Sequence, residues 1–437
     1  MDRDPAGTGG LSPEGAAASG GPEAGGPAAA GATASIPHPS ARILVPALAV
    51  GTLGALSAAG LWRMCRSNPS LPLWDEAAHG YAGVQVADAL RHFHPLELFL
   101  ALNRQVVWPF VHSLLLAPAL LLGGNGFAAA EAGSIALGFA TVIALFAAGT
   151  QLHPTRGAMV GLVAAALALL APAYALFGTL AMLEIPGALL LAVAFALHVR
   201  AAREPLSPRH LRAAGIATTA LFLCKYNYGL MWLAPLAFWE WRFLPQEFRA
   251  RAWAAVRRRM TPRWWLRPMP LLFAIGTVAI TAILLSGGGE FAWLGQRVSV
   301  RSPGNLAYGL WLVGLVWLLI PRRGRESRRA WIWAHCPERA RLLVQTIAVP
   351  LAVWFTLPYP NRVKEFFGFI ANRDSGASPW SAEGLLYYPR AFVADYSPAP
   401  WVAWGVLGLA LAPTDQCLSG NGSQFFATRR FCTDGFL

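Results

Sequence analysis

The chain has 437 residues, of which 55% are hydrophobic and only 13% charged, and its mean hydropathy is +0.44. A soluble domain carries about a quarter charged residues, so a single soluble globular domain is excluded and a polytopic membrane protein is indicated. The formal net charge is +13, yet the arginines sit in loops between apolar runs, the pattern that sets membrane topology; this argues against nucleic acid as the partner.

Residues 1–40 are Ala, Gly, Pro and Ser with a few charges. Such a segment cannot bury a core and reads as a disordered tail. The first apolar run, Ile43–Leu61, is long enough to span and does not read as a cleavable signal. A polar stretch follows, Leu73-Trp74-Asp75-Glu76-Ala77-Ala78-His79-Gly80-Tyr81, ahead of a helix-like segment ending near His94. Trp108–Leu122 is apolar but short and contains Pro118. Phe127–Gly149 and Ala158–Tyr174 read as spans separated by a polar break with Arg156, and Pro186–Val199 follows a short loop carrying Glu184. Beyond a basic loop, Ala213–Cys224 and Gly229–Trp241 form a hairpin around Lys225-Tyr226-Asn227-Tyr228. Pro270–Ser286, Leu306–Ile320 and Leu342–Leu357 are further spans, with Gly287–Pro303 read as a loop. A polar loop then runs to Pro400, and Trp401–Ala412 begins a last helix. The tail 413–437 is polar without helical period and reads as a truncated, frame-shifted or cytoplasmic end. Its Asn421-Gly422-Ser423 sequon carries no weight there.

The expectation is thus an all-α polytopic membrane fold of about ten crossings, with one transmembrane domain over 41–412. Three arginine-rich loops must all face the cytoplasm. Counting from them, both ends of Trp108–Leu122 fall outside. That segment is shorter than the roughly twenty residues a span needs, and is expected to be interfacial or re-entrant within a large first outer loop. Asp75, Glu76, Glu184, Lys225 and the late loop then collect on one outer face.

Two adjacent carboxylates just outside a first span need a reason. Asp75 and Glu76 either do acid–base chemistry or cap the helix they begin, since carboxylates suit a helix N-terminus. Neighbours on a helix do not share a face, so only one of them serves any given site. Glu184 is either a ligand-orienting group or a loop carboxylate before Pro186. Lys225 either neutralises a phosphate as a point charge or snorkels to the interface, and Tyr226 and Tyr228 read as interfacial aromatics. In the late loop, Arg362 and Arg373 have the fork geometry to grip phosphate, though a surface lid would look the same. His79, His112 and His153 read as structural. The five cysteines show no CxxC pair and no histidine at ligand spacing, so neither a zinc site nor a disulfide framework is expected.

Four stretches in order resemble the GT-C superfamily of polyprenyl-phosphate-sugar-dependent glycosyltransferases, and within it family 39, which holds the protein O-mannosyltransferases and the lipid A aminoarabinose transferase. They are Asp75-Glu76-Ala77-Ala78-His79-Gly80-Tyr81, Trp108-Pro109-Phe110-Val111-His112, Leu183-Glu184-Ile185-Pro186, and Phe222-Leu223-Cys224-Lys225-Tyr226-Asn227-Tyr228-Gly229. They lie within residues 43–245. Phe110 stands where relatives have a second proline, and Asn103-Arg104-Gln105 where some have an acidic–lysine pair.

The resemblance implies transfer of a sugar from a polyprenyl-phosphate donor to a lipid, glycan or protein acceptor, with inversion, at the outer face of a bacterial-type inner membrane. Asp75 would be the general base, a contribution worth ~10²–10⁴-fold, with Glu76 beside it. Glu184, Lys225, Tyr81, Arg362 and Arg373 would contact substrate. A divalent cation, if used, would be a hard one on carboxylate oxygens, but no full ligand set is visible. A transporter or flippase of lipid-linked sugars is the rival; it predicts ionisable groups along the spans and repeated broken helices, neither of which the sequence displays. A non-catalytic membrane relative is the other rival.

Overall fold

The computed structural model describes residues 41–405 apart from 68–71, 73, 154, 204–206, 245, 260–266, 287–288, 294–295, 300–302, 320–335, 360, 373–385, 387–389 and scattered positions between 391 and 403. The expected disordered tail 1–40, Arg373, most of the expected helix Trp401–Ala412 and the tail beyond it lie outside the described residues.

The described chain is helical apart from one two-stranded hairpin. Its first half comprises α1 (Ala41–Ser67), α2 (Trp74–Arg91), α3 (Pro95–Asn103), α4 (Val111–Gly123), α5 (Phe127–Thr150), α6 (Gly157–Leu170), α7 (Pro172–Gly178) and α8 (Glu184–Arg203). The second half comprises α9 (Pro208–Phe222), α10 (Tyr226–Phe243), α11 (Gln246–Arg259), α12 (Pro268–Ser286), α13 (Gly304–Leu319), α14 (Glu338–Leu343), α15 (Val349–Thr356) and α16 (Arg362–Asn372). Between α12 and α13, where a plain loop was expected, β1 (Glu290–Trp293) pairs antiparallel with β2 (Gln296–Ser299), Phe291 opposite Val298.

Among the described residues four helices are long and apolar enough to cross a membrane, over Ile43–Ser67, Phe127–Thr150, Glu184–Ala202 and Pro268–Ser286. A fifth crossing is available if α6 and α7 count as one, although they meet at 67°. The straight span expected over Ala158–Tyr174 is therefore broken. The cause is Pro172: proline has no N–H to continue the ladder and drives the preceding residue out of the helical region, and Ala171 is extended at ψ 127°. Ile43, Leu44, Val45, Leu48, Leu53 and Leu56 on α1, and Ile275 and Val278 on α12, are exposed. A soluble monomer rarely carries such continuous apolar faces. In a bilayer they cost nothing, and the class is that of a helical membrane protein.

The packing follows residue size. α5 is the hub, touched by α1, α4, α6, α7 and α8, and its buried positions are largely Ala129, Ala130, Gly133, Ser134, Gly138, Ala148 and Gly149. Small residues let backbones approach where lipid supplies no hydrophobic drive between helices. At the α5–α6 crossing a Cβ on Gly149 would lie 2.4 Å from Gly161 Cα, and one on Gly161 2.4 Å from Phe146 O. α4 has 13 residues, about 20 Å at 1.5 Å per residue, too short to cross. It lies along α2, with Leu116 and Leu120 filling the space over Gly83. Between α14 and α15 the rod takes a π-turn, Val344–Ala348. The Thr219 hydroxyl donates to the Thr346 carbonyl there at 2.5 Å, holding the irregular turn against α9.

Candidate functional site at four converging helix starts

Helices α2, α4, α8 and α10 all begin at one place. The Ala181 N–H, just before α8, donates to Glu76 Oε1 in the first turn of α2 at 2.9 Å. The Val111 N–H, opening α4, donates to Leu223 O in the α9–α10 turn at 3.1 Å. Lys225, the N-cap of α10, donates from Nζ to Glu184 Oε1, the first residue of α8, at 2.5 Å. The His79 ring, one turn into α2, lies edge-on to His112 on α4 at 5.3 Å and to Trp108 at 5.7 Å. Four stretches scattered between residues 74 and 229 are thereby joined by direct contacts.

Helix periodicity places each group. Glu76, His79, Gly80, Gly83, Val86 and Ala87 recur at helical spacing and form the buried face of α2. Asp75, one residue off that face, is partly exposed, and among the described residues its carboxylate meets no hydrogen-bonding or ionic partner. The two adjacent carboxylates are thus divided. Glu76, 1% exposed, ties α2 to the α7–α8 loop, while Asp75 stays open to solvent. The dipole argument for a carboxylate at a helix start applies to both, but does not account for a Glu76 contact made 105 residues away.

Lys225 does not snorkel: its side chain is 13% exposed and its Nζ lies between Glu184 and the face of Tyr228, 4.8 Å from the ring centroid. Burial pushes the His79 imidazole below its ordinary value despite the pull of Asp75 and Glu184, with Lys225 adding to the decrease. Burial, with His79 nearby, pushes His112 down to about 3. Both rings are neutral near neutral pH. Among the described residues Glu184 Oε2 is buried without a hydrogen-bond partner, and the fully buried His112 ring has the Met182 backbone beside it. Four helix N-termini present positive partial charge here, a setting that favours an anion. Chemically the arrangement offers one open carboxylate to take a proton, one cation at a helix start, and neutral imidazoles beside them. Among the described residues no group of three or more His, Cys, Asp or Glu side chains is arranged to hold a metal ion.

Two expected contact residues lie elsewhere. Tyr81 is 65% exposed on α2, off the face carrying Glu76 and His79. Arg362, expected on the surface of the late loop, is fully buried at the start of α16. Its Nη1 donates to Trp354 O at 2.5 Å and Leu357 O at 2.9 Å, and its Nη2 to Asn103 Oδ1 at 2.6 Å and Asn103 O at 3.1 Å. The guanidinium also stacks over the Trp354 ring at 3.6 Å. The reason is local: α15 ends at Thr356, leaving carbonyls that no further turn satisfies, and an arginine fork supplies their donors. Tyr226, expected as an interfacial aromatic, is buried too. Its hydroxyl donates to Val106 O and accepts from Trp354 Nε1, both at 2.9 Å. The Tyr226–Trp354–Arg362–Asn103 chain therefore braces the site from behind. Trp108 and His112 belong to the second of the four stretches, but His112 was read as structural and neither these two nor Asn103 was expected among the contact residues; their place here comes from ring and hydrogen-bond contacts that spacing does not reveal.

No protein-family model, no curated protein and no solved structure matches the chain.

Proposed function

We propose that the chain is a membrane glycosyltransferase of GT-C type. It moves a sugar from a polyprenyl phosphate to a hydroxyl or amine of a lipid, glycan or protein acceptor. The supporting observation is the meeting of the four motif-bearing stretches at one cluster of helix starts, with an open Asp75 and a positively charged Lys225 together. In the reaction the acceptor oxygen or nitrogen attacks the anomeric carbon and its proton passes to the Asp75 carboxylate. The bond from that carbon to the phosphate oxygen breaks, and the electron pair leaves on the polyprenyl phosphate. Lys225 and the helix N-termini stabilise the phosphate charge, the kind of preorganised electrostatics that contributes most in such sites. Glu76 holds α2 so that Asp75 faces outward. The proposed topology has about ten crossings, with this site at the outer face of a bacterial-type inner membrane.

The test is mass spectrometry of lipids retained by the gently purified protein. Wild type should carry a polyprenyl phosphate or its sugar adduct, whose mass names the sugar class. Lys225→Ala should lose it, and Asp75→Asn should keep or enrich it. Bulk phospholipid alone in all three samples would overturn the reading.

A further inference from the structure

The chain has two carboxylates that answer basic side chains at opposite ends of the same helices, and they differ in how well they are satisfied. At the far end of α8 and α10, Glu240 receives Arg339 in a fork. Nε donates to Oε2 at 2.6 Å and Nη2 to Oε1 at 2.7 Å, with His198 Nε2 3.0 Å from Oε1. Both oxygens are engaged, as a structural buried ion pair requires. At the near end Glu184 has Lys225 on Oε1, and among the described residues its buried Oε2 has nothing to accept from. A half-satisfied buried group loses free energy for the fold. Its partner is also a lysine, a compact and rotatable point charge that retargets without the geometric loss an arginine fork suffers.

Both ends of this pair sit at helix starts. Glu184 is the first residue of α8 and Lys225 caps α10. The place holds an anion in the resting protein, and that anion is the protein's own carboxylate.

We propose that Glu184 is an internal stand-in for a ligand's phosphate. A bound phosphate takes Lys225 away from Glu184, and the released Glu184 oxygens then accept hydrogen bonds from the hydroxyl or amine of the second substrate. Donor binding therefore precedes acceptor binding. This deepens the glycosyltransferase reading and rests on it for the identity of the phosphate as a lipid's.

The experiment measures binding of two probes, a short-chain polyprenyl monophosphate and inorganic phosphate, to the purified full-length protein by its tryptophan fluorescence, with melting temperatures taken alongside. Glu184→Gln frees Lys225 and should tighten phosphate binding about tenfold, equivalent to one broken contact of about 1.4 kcal/mol. Glu184→Asp, one methylene shorter and still charged, should tighten it less and serves if the glutamine variant does not fold. Lys225→Ala should weaken binding at least tenfold. In the double variant Glu184→Gln/Lys225→Ala the gain should vanish, because Glu184 acts only through Lys225. Polyprenyl phosphate bound by wild type but unchanged or weakened in both Glu184 variants overturns the stand-in and leaves the lipid-donor reading. The expected order with inorganic phosphate, and no extra affinity for the polyprenyl form, upholds the stand-in and removes the lipid donor. Binding of neither probe overturns both.

Discussion

Replacing Arg362 separates a bracing role from a ligand role. The guanidinium is fully buried, donates to four acceptors on Trp354, Leu357 and Asn103, and stacks on the Trp354 ring. Hydrogen bonds from a charged donor contribute about 1.5–3 kcal/mol each, and a desolvated cation–π contact about 2 kcal/mol. These do not add, because they share one desolvation cost; each buried neutral acceptor left unsatisfied costs about 1–3 kcal/mol. In Arg362→Met the orphaned carbonyls remain and the apolar chain fills part of the space, so the loss should be about 3 kcal/mol. At roughly 1–2 °C per kcal/mol for a chain of this length this lowers the melting temperature of the ligand-free protein by about 3–6 °C. Arg362→Lys keeps the charge but not the fork, and should recover less than half. The assay is thermal unfolding in a mild detergent, followed by tryptophan fluorescence without any ligand. A ligand-free melting temperature within 2 °C of wild type for Arg362→Met, together with weakened phosphate binding, would refute the bracing role and return Arg362 to the site.

Three other outcomes are expected. Gly161→Ala should destabilise by about 1–3 kcal/mol despite the better helix propensity of alanine, because its Cβ meets Phe146 O; Gly60→Ala, with nothing within 4 Å, should be neutral or stabilising, and equal melting temperatures for the two would contradict the close α5–α6 crossing. Arg339→Met leaves the buried Glu240 with only His198 beside it and should cost about 3 kcal/mol, partly restored by adding Glu240→Leu, as a thermal-shift cycle would measure. The His112 ring, with its pKa lowered from 6.5 to about 3, stays neutral in the fold while the unfolded chain takes up a proton. Stability should therefore be unaffected by this group above pH 6.5 and fall by about 1.4 kcal/mol for each pH unit below it, down toward pH 3; His112→Phe should flatten the fall between pH 6.5 and 4.5, and an unchanged slope would sink the assignment.

Much of the helical layout was legible in the pattern of apolar runs. The first span, Phe127–Gly149 and Pro270–Ser286 differ from the observed helices mainly at their ends, since hydropathy marks the apolar stretch and hydrogen bonding decides where a helix frays. Four residues of the candidate site were legible as well. Asp75, Glu76, Glu184 and Lys225 stood out because charge is rare in this chain, and the structure brings them to one cluster of helix starts. The division of labour between Asp75 and Glu76 was half readable: helical periodicity says that neighbours diverge, but not which of them turns inward.

What sequence alone determined, then, is whatever depends on local composition: an apolar chain cut by arginine loops, a short α4 segment, and a few charges at helix starts. The tertiary structure decided the rest, because it depends on partners far away in the chain. It closed α5 onto α6 through Gly149 and Gly161. It spent Glu76 on Ala181, locked Lys225 onto Glu184 and buried Arg362 against Asn103, 259 residues away. A side chain's type fixes what it can donate or accept, but only the packed fold fixes which donors and acceptors remain within reach once water is gone.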